Sequence, residues 1–112
     1  MKERSSELYL KDIIHSINRI FEYTKDLSYN EFCKDSKTFD AVVRNYEIIG
    51  EATKNISDEL KSTHPEIPWK EMAGMRDKVI HAYFGVDMDI VWETTQNILP
   101  GLKSILEKIS NT

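Results

Sequence analysis

Residues 39–56 read FDAVVRNYEIIGEATKNI, and this stretch decides the fold. Its mostly apolar side chains recur every three or four positions, which is the spacing of one face of an α-helix. That face comprises Phe39, Val42, Val43, Tyr46, Ile49, Thr53 and Ile56. The pattern predicts a helix that begins near Ser36 and buries this face in a core.

The preceding part of the chain repeats the same spacing. A first helix is predicted to begin near Ser5 or Ser6, because serine is a preferred N-cap residue. Its mostly apolar face comprises Leu10, Ile13, Ile14, Ile17, Ile20, Phe21, Thr24 and Leu27. The turn-forming stretch DLSYNEF, residues 26–32, is expected to separate this helix from the next one.

Two further helices are predicted in the second half of the chain. The third runs from about Pro68, which suits a first helical turn, towards Tyr83 and ends at Gly85. The fourth follows an N-cap at Asp87 or Asp89. Its face comprises Val91, Thr94, Ile98, Leu102, Ile105 and Ile109.

Pro100 lies inside this last pattern. Because proline lacks an N–H group and its ring clashes with the preceding turn, the fourth helix is expected to kink or split there. No stretch shows the sustained alternation of a strand. Since short connections favour antiparallel neighbours, the expected architecture is an all-α, up-down bundle of four to five helices in a single domain, 1–112.

Composition and charge limit the possible functions. The 112 residues are 40% hydrophobic and 30% charged, as in an ordinary folded domain. Fifteen Lys and Arg against nineteen Asp and Glu give a net charge of −4, which excludes a general binder of phosphate backbones. Any nucleic-acid chemistry must therefore come from a local cationic cleft.

The chain has few features that point to a membrane or to an oxidising compartment. Residues 1–12, MKERSSELYLKD, lack the apolar segment of a signal peptide, and no apolar run is long enough for a membrane span. Cys33 is the only cysteine, so an internal disulfide and a cysteine-based zinc site are both excluded. A cytoplasmic location is expected.

The most unusual stretch is GMRDKVIHAYFG, residues 74–85, in which Arg76, His81 and Tyr83 have the spacing R-x4-H-x-Y. Arg76 falls on an apolar face, where a guanidinium must be ion-paired, reach past the edge of the face or line a cleft. His81 lies about 140° round the helix from Arg76, so the two side chains diverge within one helix. They converge only if the helix unwinds near Gly85 or if a second subunit presents its own copy.

The simpler alternatives for these residues stay open. Arg76 is then only a structural ion-pair partner, and His81 an inert surface histidine. Lys78 adds a cation on the same side as His81, and Gly74 leaves a bare patch where another backbone can approach. No glycine-rich phosphate loop, nucleophile elbow or zinc motif is present in the sequence.

The helix at 39–56 also carries a polar stripe, which includes Arg44, Glu47, Glu51 and Asn55. Glu47 and Glu51 lie four residues apart and repel each other unless cations face them. A divalent-metal site there is disfavoured, because no further carboxylate or histidine has ligand spacing nearby. The expectation is that both are solvated or that one of them holds Arg76 across the bundle.

Three blocks of the sequence resemble a known family. RNYEIIGEATKNIS (44–57), HPEIPWKEMAGMRDKVIHAYFGVD (64–87) and VWETTQNILPGLKSIL (91–106) are similar, in order and spacing, to the HepT family of the HEPN superfamily of small helical domains. The resemblance covers roughly residues 8–109. The blocks together are specific, whereas the R-x4-H spacing alone is a weak signal.

The resemblance implies a function and a partner. HepT-like proteins are the toxins of type VII-like toxin–antitoxin pairs, and they are homodimeric, metal-independent endoribonucleases that use no cofactor. By position, Arg76 and His81 are then the catalytic pair at the dimer interface. Tyr83 is the residue to which a minimal nucleotidyltransferase antitoxin of the MntA type attaches AMP. Lys78, Arg44, Glu47 and Glu51 are expected to bind RNA or to support the site.

A different class of function stays open beside this one. The domain is alternatively a non-catalytic helical module that binds a nucleotide or a partner and docks a nucleotidyltransferase. A plain structural bundle is the third possibility, and the intact motif speaks against it. RNA cleavage in the presence of a metal chelator, lost on replacing His81, separates these alternatives.

Overall fold

The computed structural model describes the backbone of residues 4–83 and 88–110 and the side chains of residues 4–79 and 88–110. Within these ranges the chain forms helices and no strand, which confirms the all-α prediction. The helices are α1 (Ser6–Thr24), α2 (Tyr29–Lys34), α3 (Ser36–Lys54), α4 (Asp58–Thr63), α5 (Trp69–Ala73), α6 (Met75–Tyr83), α7 (Met88–Glu93) and α8 (Leu99–Ser110), with a π-helical segment at Thr94–Ile98. No helix in the described ranges has the length and apolarity that crossing a membrane requires.

The two longest helices, α1 and α3, form the centre of the bundle. Ser5 caps α1, its side chain accepting a hydrogen bond from the Leu8 N–H. The backbone N–H of Ser57 donates to the Ser6 hydroxyl at 3.0 Å, which ties the start of α1 to the end of α3 and makes the two helices antiparallel. Helix α3 packs against α1, α5 and α6, and α8 packs against α1. This arrangement places α3 between the first helix and the R-x4-H-x-Y helix.

The predicted face of α3 is buried along its whole length, which confirms the prediction. Its central aromatic residue, Tyr46, has no exposed surface, and its hydroxyl lies 2.6 Å from the Thr95 hydroxyl. Burial raises the pKa of the Tyr46 phenol, although the hydrogen bond with Thr95 acts in the opposite direction. The core as a whole draws on α1, α2, α3, α5, α6, α7 and α8, with members such as Leu10, Ile13, Ile17, Phe32, Val42, Ile49, Met72, Val79, Val91, Leu102 and Leu106.

Two short helices were not predicted. Helix α2 overlaps the stretch predicted as a turn, and a capping box between Ser28 and Glu31 begins it. The cap satisfies the first amide groups of the helix and positions Phe32, which is fully buried and packs edge-on against Phe39 at 5.7 Å. Helix α4 begins at a second serine cap, Ser57, whose side chain accepts from the Leu60 N–H. The serine-x-x-glutamate spacing was a signal for α2 in the sequence.

The third predicted helix is divided at Gly74. Helix α5 ends at Ala73 and α6 begins at Met75, so the prediction of one continuous helix from Pro68 is wrong in this respect. Glycine in a helix interior costs about 1 kcal/mol relative to alanine, which makes this position a favourable place for a break. The predicted end at Gly85 lies outside the described residues. Because of the break, Arg76 belongs to the first turn of α6.

The fourth predicted helix is split near Pro100, as expected. A π-helical turn separates its two parts. The Leu99 N–H donates to the Thr94 carbonyl, a bond from residue i+5 to residue i, just before the proline that has no N–H to donate. This wider turn shifts the buried face by one residue. Ile98, predicted in the core, is therefore 46% exposed, and Leu99 is buried instead.

Neither of the two N-caps predicted for the fourth helix is observed in the described residues. Asp87, one of the two predicted caps, lies outside the described residues. Asp89, the other, is not a cap, because it lies in the first turn of α7, which begins at Met88. Its carboxylate accepts a hydrogen bond from the Tyr29 hydroxyl. That bond raises the pKa of Tyr29 and joins α2 to α7.

Candidate functional site

The R-x4-H-x-Y motif lies on α6. Arg76 is in its first turn, and His81 and Tyr83 are in its last turn. The side chains of His81 and Tyr83 lie outside the described residues, so the predicted meeting of Arg76 with His81 stays a prediction. The described part of the site is therefore built round Arg76 and the face of α3 against which it packs.

Arg76 is held close to α3 by a glycine. A Cβ atom placed on Gly50 would lie 3.2 Å from the Arg76 Cβ, 3.2 Å from the Arg76 backbone nitrogen and 3.2 Å from the Ala73 carbonyl oxygen. These separations are tighter than ordinary van der Waals contact, so only glycine lets the α5–α6 junction lie at this depth against α3.

The close approach was predicted at Gly74 instead. A Cβ atom there would meet the carbonyl oxygens of its own turn, Lys70 at 3.5 Å and Glu71 at 3.6 Å. No second helix within the described part of the chain comes within 4 Å of that position. Among the glycines that the structure describes, the one that permits close helix packing is therefore Gly50, and its signal in the sequence was a glycine inside an otherwise regular helical pattern.

The Arg76 guanidinium lies at the rim of the bundle. Its Nε is 3.9 Å from Glu51 Oε1 on α3, and its Nη1 is 3.7 Å from Asp77 Oδ1 on its own helix. The Arg76 side chain is 42% exposed and that of Glu51 59% exposed. Ion pairs this long and this exposed contribute about 0–1 kcal/mol. The arginine is thus paired across the bundle, as one of the alternatives predicted, yet its guanidinium stays accessible to an anion.

The other predicted residues fall into two groups. Glu51 and Arg44 line one groove on the α3 surface, and Glu51 also has Lys54 within 3.8 Å. Glu47 is half-buried and Lys78 is exposed, and neither has an ion-pair partner among the described side chains. Of the two glutamates, Glu51 is therefore the one that pairs with Arg76.

Metal binding is not indicated by the described residues. They contain no group of three or more His, Cys, Asp or Glu side chains placed to hold a metal ion. The anionic groups near Arg76 face cations rather than one another, since Glu51 contacts Arg76 and Lys54. What this arrangement offers chemically is a partly exposed guanidinium that is held only loosely by two exposed carboxylates, those of Glu51 and Asp77, and that a phosphate group can therefore still approach.

Comparison with known proteins identifies relatives along the whole chain. Residues 13–109 match the family model described as ribonuclease HepT-like. The "Probable ribonuclease HepT" of Thermococcus cleftensis is 51% identical over 107 residues, which is 96% of this chain and 97% of that protein. A "Putative RNase" of Methanocaldococcus jannaschii is 45% identical over 109 residues, covering 97% of this chain and 94% of its own. No solved structure gives a significant match.

Proposed function

This chain belongs to the ribonuclease HepT-like family, and from that premise we propose that it is an endoribonuclease whose catalytic residues are Arg76 and His81. The coarse activity follows the names of the relatives. The choice of Arg76 and His81 rests on the position of the motif in the family resemblance, and the chemistry of the two side chains fits it. The single observation that carries them is the Arg76 guanidinium, half-exposed at the rim of the bundle and held only by long ion pairs.

The reaction needs a proton acceptor and a cation, and the motif contains both. Removal of the proton from a ribose 2′-hydroxyl lets its oxygen attack the adjacent phosphorus, and the bond to the 5′-oxygen of the next nucleotide breaks. His81, whose ordinary pKa is about 6.5, is suited to accept that proton near neutral pH. The Arg76 guanidinium binds the non-bridging oxygens as negative charge develops on them. The departing 5′-oxygen takes up a proton from the imidazolium of His81 or from water, and a 2′,3′-cyclic phosphate remains on the other fragment.

In a homodimer, Arg76 of one protomer and His81 of its partner can lie close together. Arg76 and His81 diverge by about 140° on one helix, so an Arg76 from one protomer and a His81 from its partner meet across a two-fold axis near α6. Two copies of Arg76 and of Lys78 then form the local cationic cleft that a net charge of −4 does not otherwise provide. Glu51, Glu47 and Arg44 on α3 support the walls of this cleft.

Tyr83 is the residue through which the ribonuclease activity is regulated in this proposal. We place the chain in a toxin–antitoxin pair, in which a cognate MntA-like nucleotidyltransferase attaches AMP to this residue. The phenol oxygen attacks the α-phosphorus of ATP, pyrophosphate leaves, and the phenolic proton is lost to solvent. The product puts a bulky anion two residues from His81, where it blocks RNA by volume and by charge.

Cleavage of RNA by the purified protein in excess EDTA tests the function. The expected result is undiminished cleavage, because neither catalytic group needs a metal ion. Complete inhibition by EDTA, restored by a divalent ion, would overturn the metal-independent mechanism. Absence of cleavage with and without metal, combined with tight binding of a nucleotidyltransferase, would support the alternative of a non-catalytic docking module.

The close packing at Gly50 gives a prediction about Arg76. Gly50→Ala is expected to lower the cleavage rate while changing the melting temperature little. The new methyl group displaces the α5–α6 junction by a few tenths of an ångström, whereas the better helix propensity of alanine offsets the strain by up to about 1 kcal/mol. Thermal unfolding by circular dichroism and an RNA cleavage assay measure the two effects.

Gly101 is the matched control for this variant. It also lies in a helix, but a Cβ atom there would meet nothing within 4 Å. Gly101→Ala is therefore expected to raise the free energy of unfolding by about 0.5–1 kcal/mol and to leave cleavage unchanged. If Gly50→Ala behaved in the same way as Gly101→Ala in both assays, the depth of Arg76 against α3 would not matter for activity.

A further inference from the structure

A groove between α1 and α3 leads away from Arg76. It has a volume of about 200 Å³, and its lining includes Tyr9, Asp12, Arg44, Ile48, Glu51 and Asn55. Glu51 is at once a wall of this groove and the ion-pair partner of Arg76. We propose that the groove binds one unpaired nucleotide of the RNA substrate next to the cleavage site, with its base on Tyr9 and its phosphate on Arg44. This inference rests on the proposed ribonuclease function.

The charges of the groove favour a phosphate. Asp12 pairs with Arg4, and Glu51 pairs with Arg76 and Lys54, so both carboxylates in the lining are neutralised. Arg44 is exposed and has no ion-pair partner among the described side chains. The groove therefore presents one uncompensated guanidinium, whose planar fork matches the oxygens of a phosphate.

The aromatic ring of the groove suits a base. Tyr9 is half-buried and lines the groove, and the Arg4 guanidinium lies over one face of its ring, 4.9 Å from the centroid, so a base has only the part of the ring that Arg4 leaves open. Ile48 adds an apolar contact beside it. Aromatic side chains that bind single-stranded RNA stack on bases of any type, because every base has a π-face. Tyr9 is thus the stacking residue of the proposed subsite.

Asn55 provides a polar contact for the edge of the base. Its side-chain Nδ2 donates to the Glu51 carbonyl oxygen at 2.9 Å, which orients the amide. This bond uses one of the two amide hydrogens, so the second N–H remains as a donor and Oδ1 as an acceptor for the polar edge of a base.

The size and position of the groove fit one nucleotide. Its volume of about 200 Å³ is below the roughly 300–1,000 Å³ of pockets that enclose a whole small molecule. The groove thus has room for a base, with the sugar and phosphate at its rim. Arg44 and Glu51 are two turns apart on α3, about 10 Å. An RNA strand anchored at Arg44 therefore reaches Arg76 within a short distance.

Binding to a short fluorescein-labelled single-stranded RNA tests the subsite, with fluorescence anisotropy as the readout and the His81→Ala protein as the non-cleaving parent. Tyr9→Leu is expected to weaken binding about tenfold, because the stacking contact is lost. Arg44→Ala is expected to weaken binding to a similar extent. It is also expected to lower the slope of log binding constant against log salt concentration by about one, because one phosphate contact is lost.

Two variants serve as matched controls. Tyr9→Phe keeps the ring and is expected to bind as the parent does. Arg19→Ala removes an exposed arginine of α1 that does not line the groove, and it too is expected to bind normally. A further comparison uses oligonucleotides of adenine and of uracil, of which the adenine form is expected to bind more tightly, because the larger purine ring stacks more strongly on an aromatic side chain.

The outcomes separate this inference from the function on which it rests. If the parent binds RNA and both Tyr9→Leu and Arg44→Ala bind it equally well, the subsite is wrong and the ribonuclease function stands. If the wild-type protein neither binds nor cleaves RNA, both proposals fail. Competition by poly-glutamate as strong as that by unlabelled RNA would also overturn the subsite, since the groove would then suit an acidic protein segment.

Discussion

Arg76→Ala and His81→Ala are each expected to lower the rate of RNA cleavage by about 100-fold or more. Loss of a positioned proton acceptor typically costs about 10²–10⁴-fold, and loss of a group that stabilises the charge of the transition state about 10²–10³-fold. The fold is expected to survive, because the ion pairs of Arg76 are long and exposed and contribute about 0–1 kcal/mol. Initial rates on a labelled RNA, together with circular dichroism, measure both effects.

Mixing the two inactive proteins tests where the pair is assembled. If each site combines Arg76 of one protomer with His81 of its partner, a mixed dimer contains one complete site. Equal amounts of the two variants, allowed to exchange subunits, are then expected to recover about a quarter of the wild-type rate, since half of the dimers are mixed and half of their sites are intact. Sedimentation verifies the dimer.

The opposite result is equally informative. A mixture that stays inactive, although mixed dimers are shown to form, would contradict the composite site. A stable monomer at tens of micromolar would contradict it as well. Arg19→Ala is a suitable control, because this exposed arginine of α1 lies outside the described site, so its loss is expected to leave most of the activity in place.

The fold was predicted best where one pattern ran without interruption. The face of α3, from Phe39 to Ile56, is buried at every predicted position. Prediction failed where the chain departs from regular helix. The π-helical turn before Pro100 moves Ile98 to the surface, and a period of 3.6 residues carries no sign of such an insertion.

The site was predicted less completely because its geometry depends on contacts between distant parts of the chain. The pairing of Arg76 with a glutamate of α3 was one of several alternatives, and Glu51 rather than Glu47 is the partner. The role of Gly50 was missed, since a glycine in a helix shows its purpose only when the facing backbone is known. The proposed meeting of Arg76 with His81 involves a second chain, whose position no pattern within one chain determines.

Tyr83→Phe is expected to keep most of the ribonuclease activity and to escape neutralisation by the cognate nucleotidyltransferase. No step of the proposed cleavage uses the phenol, whereas attachment of AMP requires its oxygen. Co-expression with the nucleotidyltransferase is expected to add one or more AMP units to the wild-type protein and none to Tyr83→Phe. Intact-mass and peptide spectra locate the addition, and RNA cleavage by the co-expressed proteins reports neutralisation.

The matched control for Tyr83→Phe is Tyr23→Phe, which removes the hydroxyl of another tyrosine, one that is 39% exposed on α1. This variant is expected to be modified and silenced as fully as the parent, because exposure alone does not place a phenol next to His81. Silencing of Tyr83→Phe, or an AMP adduct that maps to Tyr23, would remove Tyr83 from the regulatory site. An adduct confined to Tyr83 would instead connect the loss of cleavage with an anion placed two residues from the catalytic histidine, where phosphate repels phosphate.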